Sequence, residues 1–341
     1  MKTVRNQALW LALVCSILII VTGCGSNTSA AGKGTGSSGE VMTLKFSAIN
    51  NAKHPAVRAI NEKFKVLVEE KSNGAIKVEV FDNGQLGGER DVIEHLQLGT
   101  VHMAYVSPVL GNIDPKINIL DLPYLFKDYA HLDSVLDGPL GQEILSDLPS
   151  KKLHGFAYLE NGFRQVTNGK REINTPEDLK GLKVRVPEAP ISIANLQALG
   201  ANVVTLSFNE LYSGLQQQVV DGQENAYPTI NSSKFYEVQK YVAETNHMWG
   251  SFIIVGSEKW FAKLPDDQKK IIEEAAFETS KYQREIFREE QEKDKQTLMD
   301  NGMKVTTPDL EPFRALSAPV YEDFYQKNPQ LKDLVERIRG E

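Results

Sequence analysis

The sequence is poor in cysteine, and the two cysteines that it has stand near its beginning. Cys15 and Cys24 are the only ones in 341 residues, so the remainder can form no disulfide, no thiol nucleophile and no cysteine-based metal site. The Gly-x-Ser-x-Gly and His-Glu-x-x-His motifs are absent, and the six histidines lack metal-ligand spacing. The sequence therefore argues against an enzyme and predicts neither a cofactor nor a metal centre.

An excess of basic residues is also missing. The chain has 38 Lys and Arg against 45 Asp and Glu, a formal net charge of −7. Removal of an N-terminal leader containing Lys2 and Arg5 would make this charge two units more negative. An acidic surface of this kind excludes nucleic acid as a partner by its overall field, although a local cationic pocket could still hold a small anion.

The chain begins with a short hydrophobic run at residues 8–21, preceded by the two basic residues. The run is too short for a membrane span with a stop-transfer signal, and residues 21–24 resemble a bacterial lipobox. We therefore expect residues 1–23 to be a lipoprotein signal peptide, with Cys24 lipidated; the alternative is an uncleaved anchor. Residues 24–41 are rich in Gly and Ser and predict a flexible tether. Either reading places the rest of the chain outside the cytoplasmic membrane.

The first folded segment alternates strands and helices. Apolar alternation predicts strands at 43–49, 76–81 and 103–106, and helical periodicity predicts helices at 55–72 and from about 86 to Gly99. Strand–helix–strand order implies parallel crossovers and an open α/β sheet. Such sheets bind ligands at the carboxyl ends of their strands.

A second α/β set follows a helical stretch at 133–148. We predict strands near 153–159 and 163–167, then at 183–186, 203–206 and 252–255, with helices at 191–199 and 209–219. The chain crosses between the two sets near 160–163 and 249–254. The apolar periodicity of residues 265–299 predicts one long helix, and the alternative is two helices. We expect a strand at 304–306 and two short helices to complete the chain.

This order predicts an α/β, two-lobed clamshell of the periplasmic-binding-protein type, with hinge strands, a cleft and a long helix spanning both lobes. Lobe I would comprise residues 42–161 plus about 251–289. Lobe II would comprise residues 162–250 plus about 290–341.

Arg185 is the most informative single residue. In residues 183–187 two valines alternate with it in a short strand that ends at a proline, so its side chain lies at the mouth of the strand. A buried guanidinium needs a carboxylate or a phosphate, and no acid occupies an obvious pairing position nearby. We therefore expect an external anion as its partner; an internal ion pair is the alternative.

Three further segments carry polar or aromatic side chains towards the cleft. Residues 161–168 place Arg164 just beyond the lobe junction, and Phe208 follows a strand. Residues 219–226 predict a helix end and a polar turn that contains Asn225. With residues 85–90, residues 236–240 and the long helix, these segments closely resemble the DctP-type solute-binding proteins of tripartite ATP-independent periplasmic (TRAP) transporters. The resemblance covers essentially everything after the tether.

The resemblance implies a role for each matching residue. Arg185 would form the main bidentate bridge to a ligand carboxylate, Arg164 a second contact, and Asn225 an amide hydrogen bond to the same group. Phe208 would pack on the carbon skeleton, and Glu89 would accept hydroxyl hydrogens or simply favour its helix start.

The residues around these positions refine the expected ligand. His54, before Pro55 at the end of the first strand, could bind ligand or only start the helix. Ser107 stands where sialic-acid-binding members carry an acid, which argues against sialic acid. We expect a small organic acid anion, a sugar acid or uronate first and a C4-dicarboxylate second, delivered to TRAP permease subunits. A receptor for a sensor or another transporter is a further alternative, and a cation bound with the acid stays open.

Overall fold

The computed structural model describes residues 41–340, and the leader, the tether up to residue 40 and the expected lipidation at Cys24 lie outside this range. Eleven strands are present among the described residues. They are β1 Met42–Ser47, β2 Ile76–Phe81, β3 Met103–Val106, β4 Leu153–Phe163, β5 Gln165–Asn168, β6 Lys183–Val186, β7 Asn202–Thr205, β8 Gly222–Asn225, β9 Tyr241–Ala243, β10 Trp249–Ser257 and β11 Lys304–Thr306.

The same range contains twelve α-helices. They are α1 Pro55–Ala59, α2 Lys65–Lys71, α3 Glu89–Leu98, α4 Tyr129–Asp137, α5 Pro139–Leu145, α6 Pro190–Ala198, α7 Phe208–Gln216, α8 Tyr227–Ser232, α9 Glu258–Phe261, α10 Asp266–Asp300, α11 Glu311–Lys327 and α12 Lys332–Gly340. A π-helical turn, Ile60–Phe64, joins α1 to α2. Short 3₁₀ helices lie at Pro108–Asn112, Ile117–Asp121, Leu148–Lys151, Pro176–Leu179, Phe235–Glu237 and Pro329–Leu331.

The first sheet has the strand order β2-β1-β3-β10-β4. β1 pairs in parallel with β2 and β3, as the strand–helix–strand pattern predicts, and α3 ends at Gly99 in the left-handed region with φ of 81°. β10 returns antiparallel between β3 and β4. The parallel part of this sheet therefore directs the carboxyl ends of β1 and β3 to one edge.

The second sheet has the order β11-β9-β5-β8-β6-β7. β6 lies between β7 and β8 and runs parallel to both, so that Arg185 is opposite Val204 on one side and Gln223 on the other. β4 ends two residues before β5 begins, and β10 pairs with β4 along its length. The chain therefore passes between the sheets on adjacent strands, which confirms the two-lobed α/β architecture.

The long helix α10 is a single helix of 35 residues, as predicted, and spans about 52 Å at 1.5 Å per residue. Near its start, Ile272 and Ala275 pack in the core under β1 and β2. Near its end, Leu298 packs with Leu211 and Val242 in the core of the second sheet. One helix therefore contributes to both hydrophobic cores.

The C-terminal helices pack against more than one part of the molecule. Phe313 of α11 joins the core of the second sheet, whereas Val320, Val335 and Ile338 pack in the same cluster as Leu132 of α4. The proposed boundaries of the two lobes remain a prediction for these residues.

One sequence expectation is wrong in detail, and another is refined. The helical stretch predicted at 133–148 consists of two helices, α4 and α5, because Pro139 starts a new helix directly after Gly138. Residues 222–225 form the buried strand β8 instead of a polar turn. Hydrophobic alternation could not reveal β8, because its buried residues include Gln223, Glu224 and Asn225, whose polar groups are satisfied inside the fold.

No helix in residues 41–340 combines the length and apolar character needed to cross a membrane. Within the same range, no cluster of three or more His, Cys, Asp or Glu side chains is arranged to hold a metal ion.

Candidate functional site

A narrow cavity of about 20 Å³ lies between the two sheets. Residues that follow or end the parallel strands contribute most of its wall, as expected for the carboxyl edge of an open α/β sheet. Its lining includes five of the residues predicted to bind ligand, namely Arg185, Arg164, Asn225, Phe208 and Glu89. The structure therefore brings together all the predicted ligand-binding residues except His54.

Arg185 is a buried cation held on one edge only. Its side chain is 2% exposed, and its Nε and Nη2 donate to the Leu206 carbonyl at 2.9 and 2.7 Å. No carboxylate of the described residues forms an ion pair with it, and burial lowers its pKa to about 10. Burial of a charge without a counterion is costly, so an anion in the cavity would be strongly favoured next to its free edge.

Arg164, in contrast, already has an internal partner. Its Nε donates to Glu224 Oε2, and its Nη2 donates to Glu224 Oε1 at 2.9 Å and to the Glu224 carbonyl at 2.7 Å. The Nε2 of His247 lies 3.3 Å from the same carboxylate. Burial raises the pKa of Glu224, but the Arg164 charge, the hydrogen bonds from Arg164 and the proximity of His247 outweigh it and lower the pKa to about 2. The charge of Arg164 is therefore neutralised inside the protein.

Glu89 begins α3 and is held by the residue after β3. Its Oε1 accepts from the Ser107 amide at 2.7 Å, and its Oε2 accepts from the Ser107 hydroxyl at 2.8 Å. Burial raises its pKa in spite of these bonds. The carboxylate is fixed at the cavity wall, where its remaining lone pairs can accept hydroxyl hydrogens.

Phe208 supplies an apolar part of the cavity wall, and Asn225 supplies a polar part. Phe208 is half-buried and packs against the cores of both sheets, so that it forms an apolar wall between them. Asn225 ends β8, and its Nδ2 donates to Gln223 Oε1 at 2.6 Å. Both side chains are therefore fixed by their own protein contacts before any ligand enters.

His54 is not part of the cavity wall. It is completely buried at the N-cap of α1, where its Nδ1 accepts from the Ala56 amide at 3.1 Å, and it contacts Thr229 from behind. The helix-start role, which the sequence left open as the alternative, is the one seen in the structure.

Several cavity residues were not predicted from the sequence. Asn50 and Asn161 each have an oxygen that accepts a hydrogen bond from a neighbour, Tyr105 and Thr229 respectively, while neither Nδ2 has an acceptor among the described residues. Their only sequence signal is position, since Asn50 follows β1 and Asn161 lies in the β4 crossover. Donors therefore predominate on the cavity wall, which favours a ligand rich in acceptor oxygens.

Comparison with known proteins agrees with this geometry. Residues 46–328 match the family model described as bacterial extracellular solute-binding protein, family 7. The chain is 34% identical over 280 residues to the 2,3-diketo-L-gulonate-binding periplasmic protein YiaO of Escherichia coli, covering 81% of this chain and 85% of that protein.

Solved structures of TRAP periplasmic solute-binding proteins are similar over the same range. One from Sulfitobacter sp., with bound β-D-galacturonate, has a TM-score of 0.84 and 31% identity, covering 88% of this chain and 100% of that chain. One from Polaromonas sp., bound to D-erythronate, has a TM-score of 0.84 and 35% identity, covering 87% of this chain and 98% of that chain. The chain belongs to the DctP family of bacterial extracellular solute-binding proteins, family 7.

Proposed function

We propose that this protein is the extracytoplasmic receptor of a TRAP transporter, which captures a hydroxylated monocarboxylate, a sugar acid or uronate, and delivers it to the membrane permease. The observation that carries the proposal is Arg185, a buried guanidinium without a carboxylate partner in the described chain. A ligand carboxylate at its free edge would supply the missing counterion, and enclosure between the sheets would strengthen that pair by excluding water.

The remaining wall explains a preference for one carboxylate and several hydroxyls. Arg164 is neutralised by Glu224, so the cavity offers one strong cationic position instead of the two that a dicarboxylate requires. Glu89 offers acceptor lone pairs, and Asn50 and Asn161 offer donors, the complement that a hydroxyl chain needs. The relatives that hold galacturonate and erythronate carry ligands of this class.

The finer parts of the proposal concern regions beyond the site. We propose that one lobe comprises residues 42–161 with about 251–289 and the other residues 162–250 with about 290–341, because the chain crosses between the sheets near those positions.

We also propose that Cys24 is lipidated and tethers the receptor to the membrane. Labelling of cells with a fatty-acid analogue should mark the wild-type chain but not Cys24→Ala, and equal labelling would contradict this.

A ligand screen followed by calorimetry tests the receptor function. The chain without residues 1–23 should show a thermal shift with D-galacturonate, D-glucuronate or D-erythronate, a smaller one with succinate and none with D-galactose. Arg185→Met should weaken binding of the best acid by about 100-fold or more, because it removes a buried charge-assisted pair.

Arg171→Met is the matched control, because Arg171 also donates to two backbone carbonyls but is exposed and does not line the cavity. It should leave the affinity unchanged. Binding of a neutral sugar in preference to every acid, or unchanged affinity of Arg185→Met, would overturn the proposal. Turnover of the bound acid would instead indicate an enzyme.

A further inference from the structure

A chain of hydrogen bonds connects the start of helix α1 to the wall of the cavity. The Nε2 of His54 lies 3.1 Å from the Thr229 hydroxyl, and this hydroxyl lies 3.0 Å from Asn161 Oδ1. Thr229 and Asn161 line the cavity, whereas His54 lies behind them and is completely buried. The three side chains come from the N-cap of α1, from α8 and from β4, so the chain connects two helices to a strand of the first sheet.

The Ala56 amide determines which group donates in every hydrogen bond of this chain. The Ala56 amide can only donate, and it donates to His54 Nδ1 at 3.1 Å, so Nδ1 carries no proton. A neutral imidazole without a proton on Nδ1 carries it on Nε2, which must therefore donate to Thr229. The Thr229 hydroxyl has one hydrogen, and Asn161 Oδ1 is its only acceptor among the described side chains and carbonyls.

His54 is surrounded by groups that keep it neutral. Its ring is 5.9 Å from the ring of Phe252 in an edge-on arrangement and 6.5 Å from that of Phe287. No charged side chain of the described residues forms a hydrogen bond or an ion pair with it, and burial lowers its pKa to about 3. The tautomer, and with it the direction of the chain, should therefore persist over the physiological pH range.

We propose that His54 and Thr229 are positioning residues that fix Asn161 as a hydrogen-bond donor to an oxygen of the bound ligand. Because Asn161 Oδ1 is occupied by Thr229, its amide cannot rotate without losing that bond, and only Nδ2 is presented to the cavity. The ligand atom that meets Asn161 must then be an acceptor, such as a carboxylate, carbonyl or hydroxyl oxygen, and an ammonium group at that point is disfavoured. This role of Asn161 rests on the proposed function.

The tautomer can be tested without any ligand. Two-bond ¹H–¹⁵N correlation spectra of histidine-labelled protein distinguish a proton on Nδ1 from one on Nε2, and the His54 signals are assigned by their loss in His54→Asn. We expect the Nε2–H form at pH 8 and an unchanged pattern at pH 5. An Nδ1–H form, or titration of this ring between pH 5 and 8, would overturn the proposed chain.

Replacement of the Asn161 amide by a carboxylate tests whether Asn161 donates a hydrogen bond to the ligand. Asn161→Asp keeps an oxygen that can accept from Thr229 but replaces the Nδ2 donor with a second acceptor. Calorimetry with D-galacturonate, or with the acid that gives the largest thermal shift, should show an affinity at least about 100-fold lower, because the ligand would meet a like charge. An affinity within about twofold of wild type would refute the donor role.

Two variants of Thr229 separate the hydrogen-bond relay from simple packing. Thr229→Val removes the hydroxyl at nearly constant volume and should lower affinity by about 3- to 10-fold, whereas Thr229→Ser should remain close to wild type. His54→Asn retains a side chain that can cap α1 but is too short to reach Thr229, and it should lower affinity in the same direction as Thr229→Val.

Equal affinities of Thr229→Val and Thr229→Ser, in variants with wild-type circular dichroism, would exclude the relay. If no acid binds the wild-type protein, the proposed function fails and the ligand contact of Asn161 fails with it. The NMR result still decides whether the chain from His54 exists, so the two failures are distinguishable.

Discussion

At the scale of single residues, the two buried arginines of the cavity differ in whether a carboxylate of the protein neutralises their charge. Glu224 pairs with Arg164, whereas among the described residues Arg185 is bound only to the neutral Leu206 carbonyl. The cavity therefore has one cation whose counterion the described chain does not provide. Binding of one carboxylate, with hydroxyl groups beyond it, is the chemistry that this asymmetry supports.

His54 makes the protein sensitive to acid in a predictable direction. Its pKa is about 3 in the folded protein and 6.5 in the reference state, so the unfolded chain takes up a proton first as the pH falls. The stability that this difference contributes is present above pH 6.5 and is lost progressively towards pH 3. At pH 5 the loss should be about 2 kcal/mol relative to pH 8.

Urea unfolding of the wild type and His54→Asn at pH 8 and pH 5 measures this effect. The difference in unfolding free energy between the two proteins should move in favour of the variant by about 2 kcal/mol on going to pH 5. A difference that does not change with pH would show that His54 titrates normally in the folded protein.

The sequence was most informative about residues that stand out chemically. An arginine between two valines drew attention to Arg185, which the structure buries between Val184 and Val186 without an ion pair among the described residues. The sequence could not reveal that Glu224, which directly precedes Asn225, would neutralise Arg164, because this pairing depends on the register of β5 against β8. Asn161 and Thr229 were missed because a hydrogen-bond relay leaves no mark in the spacing of residues.

At the scale of secondary-structure elements, periodic segments were predictable and polar ones were not. α10 and the strands β3, β6 and β11 follow the expected ranges because apolar periodicity and helix or strand ends mark them. The π turn inside the first helix and the polar strand β8 carry no such pattern. Tertiary contacts, not local preference, determine both.

The crossover strand β4 depends on a glycine for its contact with α10. Gly162 has φ of 75°, and a Cβ at this position would lie 2.6 Å from Phe287 Cε1 and 3.0 Å from the Ala226 Cβ. Gly162→Ala should therefore lower the free energy of unfolding by about 2–4 kcal/mol, from backbone strain together with steric overlap.

Gly181→Ala provides the comparison for this prediction. Gly181 has φ of 81°, but apart from its chain neighbours no atom of residues 41–340 lies within 4 Å of its Cβ position, so only the backbone strain should apply, about 1–2 kcal/mol. Urea titrations of both variants give the two values. Equal losses would mean that α10 moves aside freely at the crossover.

At the scale of the whole molecule, the two sheets share structural elements that resist independent unfolding. α10 contributes Ile272 to one core and Leu298 to the other, and β4 and β10 pair along the passage between the sheets. A long helix that belongs to two cores couples their stabilities, because melting either core exposes the apolar residues that the helix contributes to it.

We therefore expect a single cooperative unfolding transition for the chain without residues 1–23. Its tryptophans, Trp249 and Trp260, both pack with the first sheet, so their fluorescence reports that part of the molecule, while far-UV circular dichroism reports both sheets. The two urea transitions should coincide. A second circular-dichroism transition without a fluorescence counterpart would show that the second sheet unfolds on its own.

The bond between Arg185 and the Leu206 carbonyl has a consequence for how ligand preference could diverge among related receptors. Leu206 is separated by one residue from Phe208, so one short loop sets both the direction of the guanidinium and the position of the aromatic wall. A change of length in this loop would shift both anchors in one evolutionary step. Receptors of this family could thus acquire a preference for longer or shorter acids while keeping every ligand-contacting residue.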